Sequence, residues 1–431
     1  MTKQRHSQLD WESNKEEKMK KIEEKLHATN HYLYYPDEKD VPPYLAYGFR
    51  PIFLVLAPYV LISMVLWGLV WSGILNIPFM DDILIWHVYE MLYGLITAGT
   101  LAFLATGLPE LFPGLVPLIG KRLKYVVMLW LAGRASFWLI DLTGIYLTAF
   151  LNLAMLAWIL WFARDAVLDK LQRHASIGYV ALVLFIIEVW FFASRLGFAT
   201  TPSMDILKVA LGAIVVLLLL ALRRVNMEAI NELMEDKGID DVFLSRPPKT
   251  NIALFTVIAF TIVEFLYPHN SALGWLGFAA AAGILGVTSE YKLKDAFILN
   301  QPYVIYLGLV YVLLALGYGL MGFDLLNPHI DGINHFRHFI TTGGIGLSYI
   351  VIMLIITWIH TGRHLTSNIS THLMVSFIVL ATFMRGLIPF YESYAHELYL
   401  YSSLIWSLPF AIYIKLYFNF LLNPRADGIK G

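Results

Sequence analysis

The stretch LIWHVYEMLYGLITAGTLAFLAT, residues 84–106, decides the fold. It is an apolar run long enough to cross a hydrocarbon core, which takes about 20 residues of helix. Its start holds His87 and Glu90 three residues apart, so one helical turn brings an imidazole and a carboxylate close together. Ionisable groups inside an apolar span are costly and mark a function by default.

Working outward, the composition fits such a span many times over. The chain of 431 residues is 58% hydrophobic and only 15% charged, against roughly 25% charged in an ordinary soluble domain. Twelve apolar runs follow one another at about 52–72, 84–106, 124–140, 144–164, 177–195, 204–224, 251–268, 273–288, 302–322, 338–360, 371–391 and 396–421. The expected fold is an all-α polytopic membrane bundle of about twelve helices. Basic residues collect in alternate loops: Lys121, Arg122 and Lys124; Lys170 and Arg173; Arg223, Arg224, Lys237, Arg246 and Lys249; Lys292 and Lys294; Arg363. The positive-inside rule then puts both termini in the cytoplasm. Residues 1–43 read as a charged cytoplasmic tail or short helix without an apolar signal region, and 44–431 as the membrane domain. The two halves show no sequence echo of the kind that repeat-built transporters carry.

A net charge of −1 gives no ground for a nucleic-acid partner. With no cysteine, any metal must be held by His, Met, Tyr or carboxylates, and covalent haem attachment through C-x-x-C-H is excluded. No phosphate loop and no H-E-x-x-H pattern is present. With the expected topology, His87, Glu90, His335 and His338 lie toward the outer face. Imidazole is the commonest protein metal ligand, so a pocket formed by His87 and His338 is the candidate metal site. Histidines near helix ends are also satisfied by water or a carbonyl, the reading given to His269, His329 and His335.

His360, in HTGR, ends the tenth span. Twenty-two residues of helix separate it from His338, roughly 33 Å, so the two cannot share a metal and would make two sites. Gly362 is a natural terminator there, and a histidine in the last turn complements the helix dipole. Arg134, Arg195 and Arg385 fall in outer portions of spans, where a guanidinium needs an anion. Structural partners are Asp141, Glu188 and Glu392. The alternative is a carboxylate ligand such as a haem propionate, and Arg195 is explained by snorkelling to the interface.

Seven segments in order, AYGFRPIFL (46–54), WHVYEMLYG (86–94), LAFLATGLPE (101–110), LWLAGR ending at Arg134, HFITTGGIG (338–346), HTGR (360–363) and the closing NPRADG, resemble the NnrS family. That resemblance implies a twelve-helix bacterial inner-membrane protein containing haem b and copper and linked to nitric oxide stress. It matches His87, Glu90, His338, His360, Arg50 and Arg134 to family positions. Departures are Tyr89 where the family's W-H-x-H-E-M has a second histidine, Asn226 in place of a proline, and no arginine in IMLIITWIH. The first functional expectation is a haem-binding protein of the nitrosative-stress response, with His87 and His338 as ligands and Tyr89, Glu90, Arg50, Arg134 and Arg385 around the group. A respiratory redox partner would serve such a protein. The alternatives are a transporter or channel with a path through Glu188, Glu264, Arg134 and Arg385, or an accessory subunit of a respiratory complex. The residues assign no catalysed reaction.

Overall fold

The computed structural model describes residues 41–77, 82–111, 116–168, 175–291, 296–327 and 332–429. The expected tail lies, up to residue 40, outside the described residues, as do His329 and the loop lysines and arginine at 170, 173, 292 and 294.

Among the described residues the chain is all-α, and eleven helices are long and apolar enough to cross a membrane. In chain order these are α1 (Phe49–Trp71), α2 (Ile83–Pro109), α4 (Ile145–Arg164), α5 (Ser176–Arg195), α6 (Ser203–Asp236), α7 (Pro247–Leu266), α8 (Ala272–Tyr291), α9 (Pro302–Leu326), α10 (Ile333–His360), α11 (Ile369–Gly386) and α12 (Glu392–Leu422). Between α2 and α4 runs α3 (Gly120–Trp138), 19 residues long but carrying Lys121, Arg122, Lys124 and Arg134. It completes the twelve. Three basic side chains at its start place its first turn at a polar boundary, so α3 is apolar only over its second half and starts earlier than the run 124–140 suggests.

Local chemistry sets the ends. The Asp82 carboxylate accepts from the amides of Leu84 at 2.9 Å and Ile85 at 3.1 Å, capping α2. Asn368 and Thr371 form a capping box on α11. Pro247 and Pro302 occupy the first turns of α7 and α9, where a missing amide hydrogen costs nothing. Gly362, at φ +72°, closes α10 as its sequence position promised.

Neighbours in sequence are mostly neighbours in space from α3 to α10, and α12 returns to pack along α1. The spans α2 and α10 are the most enclosed. These two share one further feature: each opens with a short α-helical piece and then passes through a π-helical segment, Glu90–Gly94 in α2 and Phe339–Ile345 in α10. No other described residues are π-helical. Such segments widen the helix and re-aim side chains, and they gather at functional sites.

Candidate functional site

The sequence-derived candidates separate into three places. The first is at the end of the bundle where α2 and α10 begin. His87 sits one turn before the π segment of α2, and its ring stacks flat on Trp67 of α1, centroids 3.8 Å apart at 8°. Trp67 in turn stacks on Trp71 at 4.8 Å. The Nδ1 atom of His87 is buried and has no hydrogen-bond partner. His338 immediately precedes the π segment of α10, and its Nδ1–H donates to the carbonyl of Asn334 at 2.7 Å. That bond fixes the tautomer and leaves the Nε2 lone pair free, the arrangement found in histidines that bind metals. His338 is within electrostatic reach of His87, and Arg385 of α11 is within reach of both.

Arg385 does not take Glu392 as a partner. Its guanidinium donates to Nδ1 of His335 at 2.6 Å and lies 4.6 Å over the ring of Tyr399. His335, expected to be satisfied by water or a carbonyl, instead helps to orient this arginine. Beside it stands a residue the sequence reading passed over. Arg337 forks onto Glu264 of α7 through Nη2–Oε1 at 2.6 Å and Nη1–Oε2 at 3.3 Å, which pins the start of α10. Its position in FRH, next to the candidate ligand, was the available signal.

The second place lies one turn deeper on α2. Glu90 is fully buried and accepts from Arg134 Nη1 at 3.0 Å and from the Tyr59 hydroxyl. Arg134 also donates to Asn152 of α4. Tyr89 turns away from the histidines: its hydroxyl donates to Glu188 of α5 at 2.6 Å and its ring stacks on Phe137 at 4.1 Å. Gly94 makes room here, because a Cβ would come within 2.6 Å of the Tyr59 hydroxyl and 3.1 Å of Glu90 Oε2. Arg134 thus finds its anion in Glu90 rather than Asp141, and its Nη groups are engaged within the protein.

The third place is the opposite end. Arg50 is fully buried and its Nη1 donates to the carbonyls of Asn423 at 2.7 Å, Leu421 at 3.1 Å and Phe420 at 3.4 Å, closing the end of α12. Arg425 donates to the His360 carbonyl at 3.1 Å, and the amide of Ala426 to that of Thr361 at 2.9 Å. The His360 ring faces Tyr47 and Phe49 at 5.4 and 5.9 Å, and the Tyr47 hydroxyl lies 3.4 Å from its Nδ1. Three of the seven sequence segments, AYGFRP, HTGR and NPRADG, therefore meet in one cap. A cavity of about 160 Å³ between α1, α2, α6 and α10 reaches this end, with Phe53, Thr100, Phe103, Tyr349 and His360 in its wall.

Chemically, the first place offers two imidazoles and a cation, the second a buried ionic network, and the third a capped helix end. Among the described residues no three His, Asp or Glu side chains converge as a metal set. No curated protein and no solved structure matches the chain. A family model described as NnrS protein matches residues 43–425, nearly the whole length. The chain belongs to the NnrS family, and at that level it is a nitric-oxide-related, multi-pass membrane protein.

Proposed function

We propose that this protein binds a b-type haem between α2 and α10 and serves the nitric oxide response of a bacterial cytoplasmic membrane, with both termini in the cytoplasm. The observation that carries the reading is the pairing of His87 with His338: two imidazoles from nonadjacent spans, both at π segments, within electrostatic reach of each other and of Arg385.

The residues fit that group. The buried, partnerless Nδ1 of His87 is a donor atom without a protein use, and the Asn334 carbonyl holds His338 with Nε2 free. Bound there, a haem supplies an iron able to take a diatomic ligand such as nitric oxide, or to pass an electron from a respiratory partner. The chain does the rest. Trp67 fixes the plane of the His87 ring by stacking, Arg337 and Glu264 hold the α10 turn that carries His338, and Arg385 offers positive charge to an anionic substituent. Trp67, Trp71 and Tyr399 form an aromatic wall beside the His87 ring.

For copper the same residues offer less. Tyr89, standing where a second histidine would be, faces Glu188, and no third ligand joins the two imidazoles among the described residues.

An absorption spectrum of the detergent-purified protein tests the reading. A Soret band that shifts on adding nitric oxide, and that His87→Ala and His338→Ala diminish, is the expected result. A colourless protein from haem-replete cells, or a band indifferent to both substitutions, overturns it.

A further inference from the structure

The network beneath the histidine pair holds more acidic than basic side chains. Two carboxylates, Glu90 and Glu188, and one guanidinium, Arg134, are all buried, with both glutamates fully so. Glu188 is within electrostatic reach of Arg134, Glu90 and Tyr89, and Tyr93 is within reach of Glu188. The elements packed around it bring Tyr59 from α1, Tyr89, Glu90 and Tyr93 from α2, Arg134 from α3 and Asn152 from α4. Arg134 is the one cation in this set. If both acids were ionised the cluster would carry an uncompensated charge in the apolar interior, which proteins avoid by taking up a proton.

The hydrogen bonds say where that proton resides. Both oxygens of Glu90 accept from donors, Oε1 from Arg134 and Oε2 from Tyr59, which suits a carboxylate. Glu188 accepts once, from Tyr89 at Oε1, and its Oε2 is buried with no partner. A bare, unpartnered carboxylate oxygen in this setting is far more costly than a neutral hydroxyl. Tyr89 stacks on Phe191 at 4.9 Å, and Tyr93 spends its hydroxyl on the Leu184 carbonyl at 3.1 Å, so neither tyrosine donates to Oε2.

We infer that Glu188 is a neutral carboxylic acid, protonated on Oε2. The cluster is then balanced as Glu90 carboxylate, Arg134 guanidinium and Glu188 acid. This inference stands whether or not the histidines hold a haem, because it rests on the charges and bonds of a separate cluster.

Infrared difference spectroscopy of the full-length protein, in H2O and D2O, reads the acid directly through the carbonyl stretch that carboxylates lack. The wild type is expected to show such a band, displaced downward in D2O. Glu188→Gln should abolish it. Glu90→Gln should abolish it as well, because Arg134, having lost its partner, then draws the ionised form of Glu188. Tyr89→Phe, nearly isosteric and able to fold, should keep the band but move it upward, since the carbonyl loses its donor. Absence of a deuterium-sensitive band in the wild type, its survival in Glu188→Gln, or an unmoved band in Tyr89→Phe overturns the inference. The haem reading fails or stands separately, on the visible spectrum.

Discussion

The two ends of α10 each carry a histidine, and their surroundings differ in kind. At the start, the Nδ1–H of His338 is committed to a carbonyl four residues back, its other nitrogen is free, and a second imidazole approaches from α2. At the end, His360 sits where the chain closes on itself: Arg425 takes its carbonyl, Gly362 turns the backbone, Tyr47 meets its ring edge on and Phe49 at a tilt. A ligand needs an open lone pair and a partner from another helix, whereas a capping histidine needs only its local turn. Position near a membrane face and the residue type are shared by both, so neither distinguishes them.

The largest expected effect breaks or upholds this contrast outright. His338→Ala removes most of the Soret absorbance, while His360→Ala leaves it at the wild-type level and instead lowers the thermal midpoint. If the two variants exchange phenotypes, the ligand lies at the other end, next to the cavity. Next in size is Arg50→Ala. Three carbonyls at the end of α12 lose their charged donor, and with a hydrogen bond to a charged group worth about 1.5–3 kcal/mol, the loss should reach about 3 kcal/mol in reversible denaturation. Haem content per folded molecule should not change. Gly362→Ala is smaller. An L side chain at φ +72° costs about 1–2 kcal/mol, and its Cβ would come within 2.5 Å of the Asp427 carboxyl carbon, so the midpoint falls while the visible spectrum holds.

How much of this could be read in the chain follows from where the information lies. Hydropathy is local, so the spans were legible, and α3 is the least apolar of them because it carries Lys121, Arg122, Lys124 and Arg134. Gly362 was legible for the same reason. The partner of Arg134 was not, because which helix lies beside α3 is set by packing of the whole bundle; Glu90 on α2, rather than Asp141 nearby in sequence, turned out to be the anion. The π segments were equally hidden: Glu90–Gly94 has nothing in its sequence that forbids an ordinary helix, and the wider turn is fixed by tertiary contacts. The Asn334 carbonyl that orients His338 is backbone, which composition cannot report.

The smallest effect belongs to the segment that caps the His360 end, outside the spans. Burial alone would raise the pKa of Asp427, but the Arg425 guanidinium, bonded at 3.0 and 2.6 Å, and the amide of Ile429 at 3.1 Å outweigh it and hold the carboxyl below its ordinary value of 3.8. A carboxyl depressed by folding contributes stability above its unfolded value, and that contribution drains away as the pH falls through the folded one. The cap should therefore loosen only below about pH 4, through release of Arg425 from Asp427 and then from the His360 carbonyl. Because the carboxyl is well exposed to solvent, the change in midpoint should be slight. Asp427→Asn should flatten the acid limb and lower the neutral-pH midpoint slightly, by less than His360→Ala does. Amide exchange of Ala426 and Ile429 against pH measures it locally, and exchange at these amides that ignores pH down to the acid limb would show that the ion pair does not hold the cap.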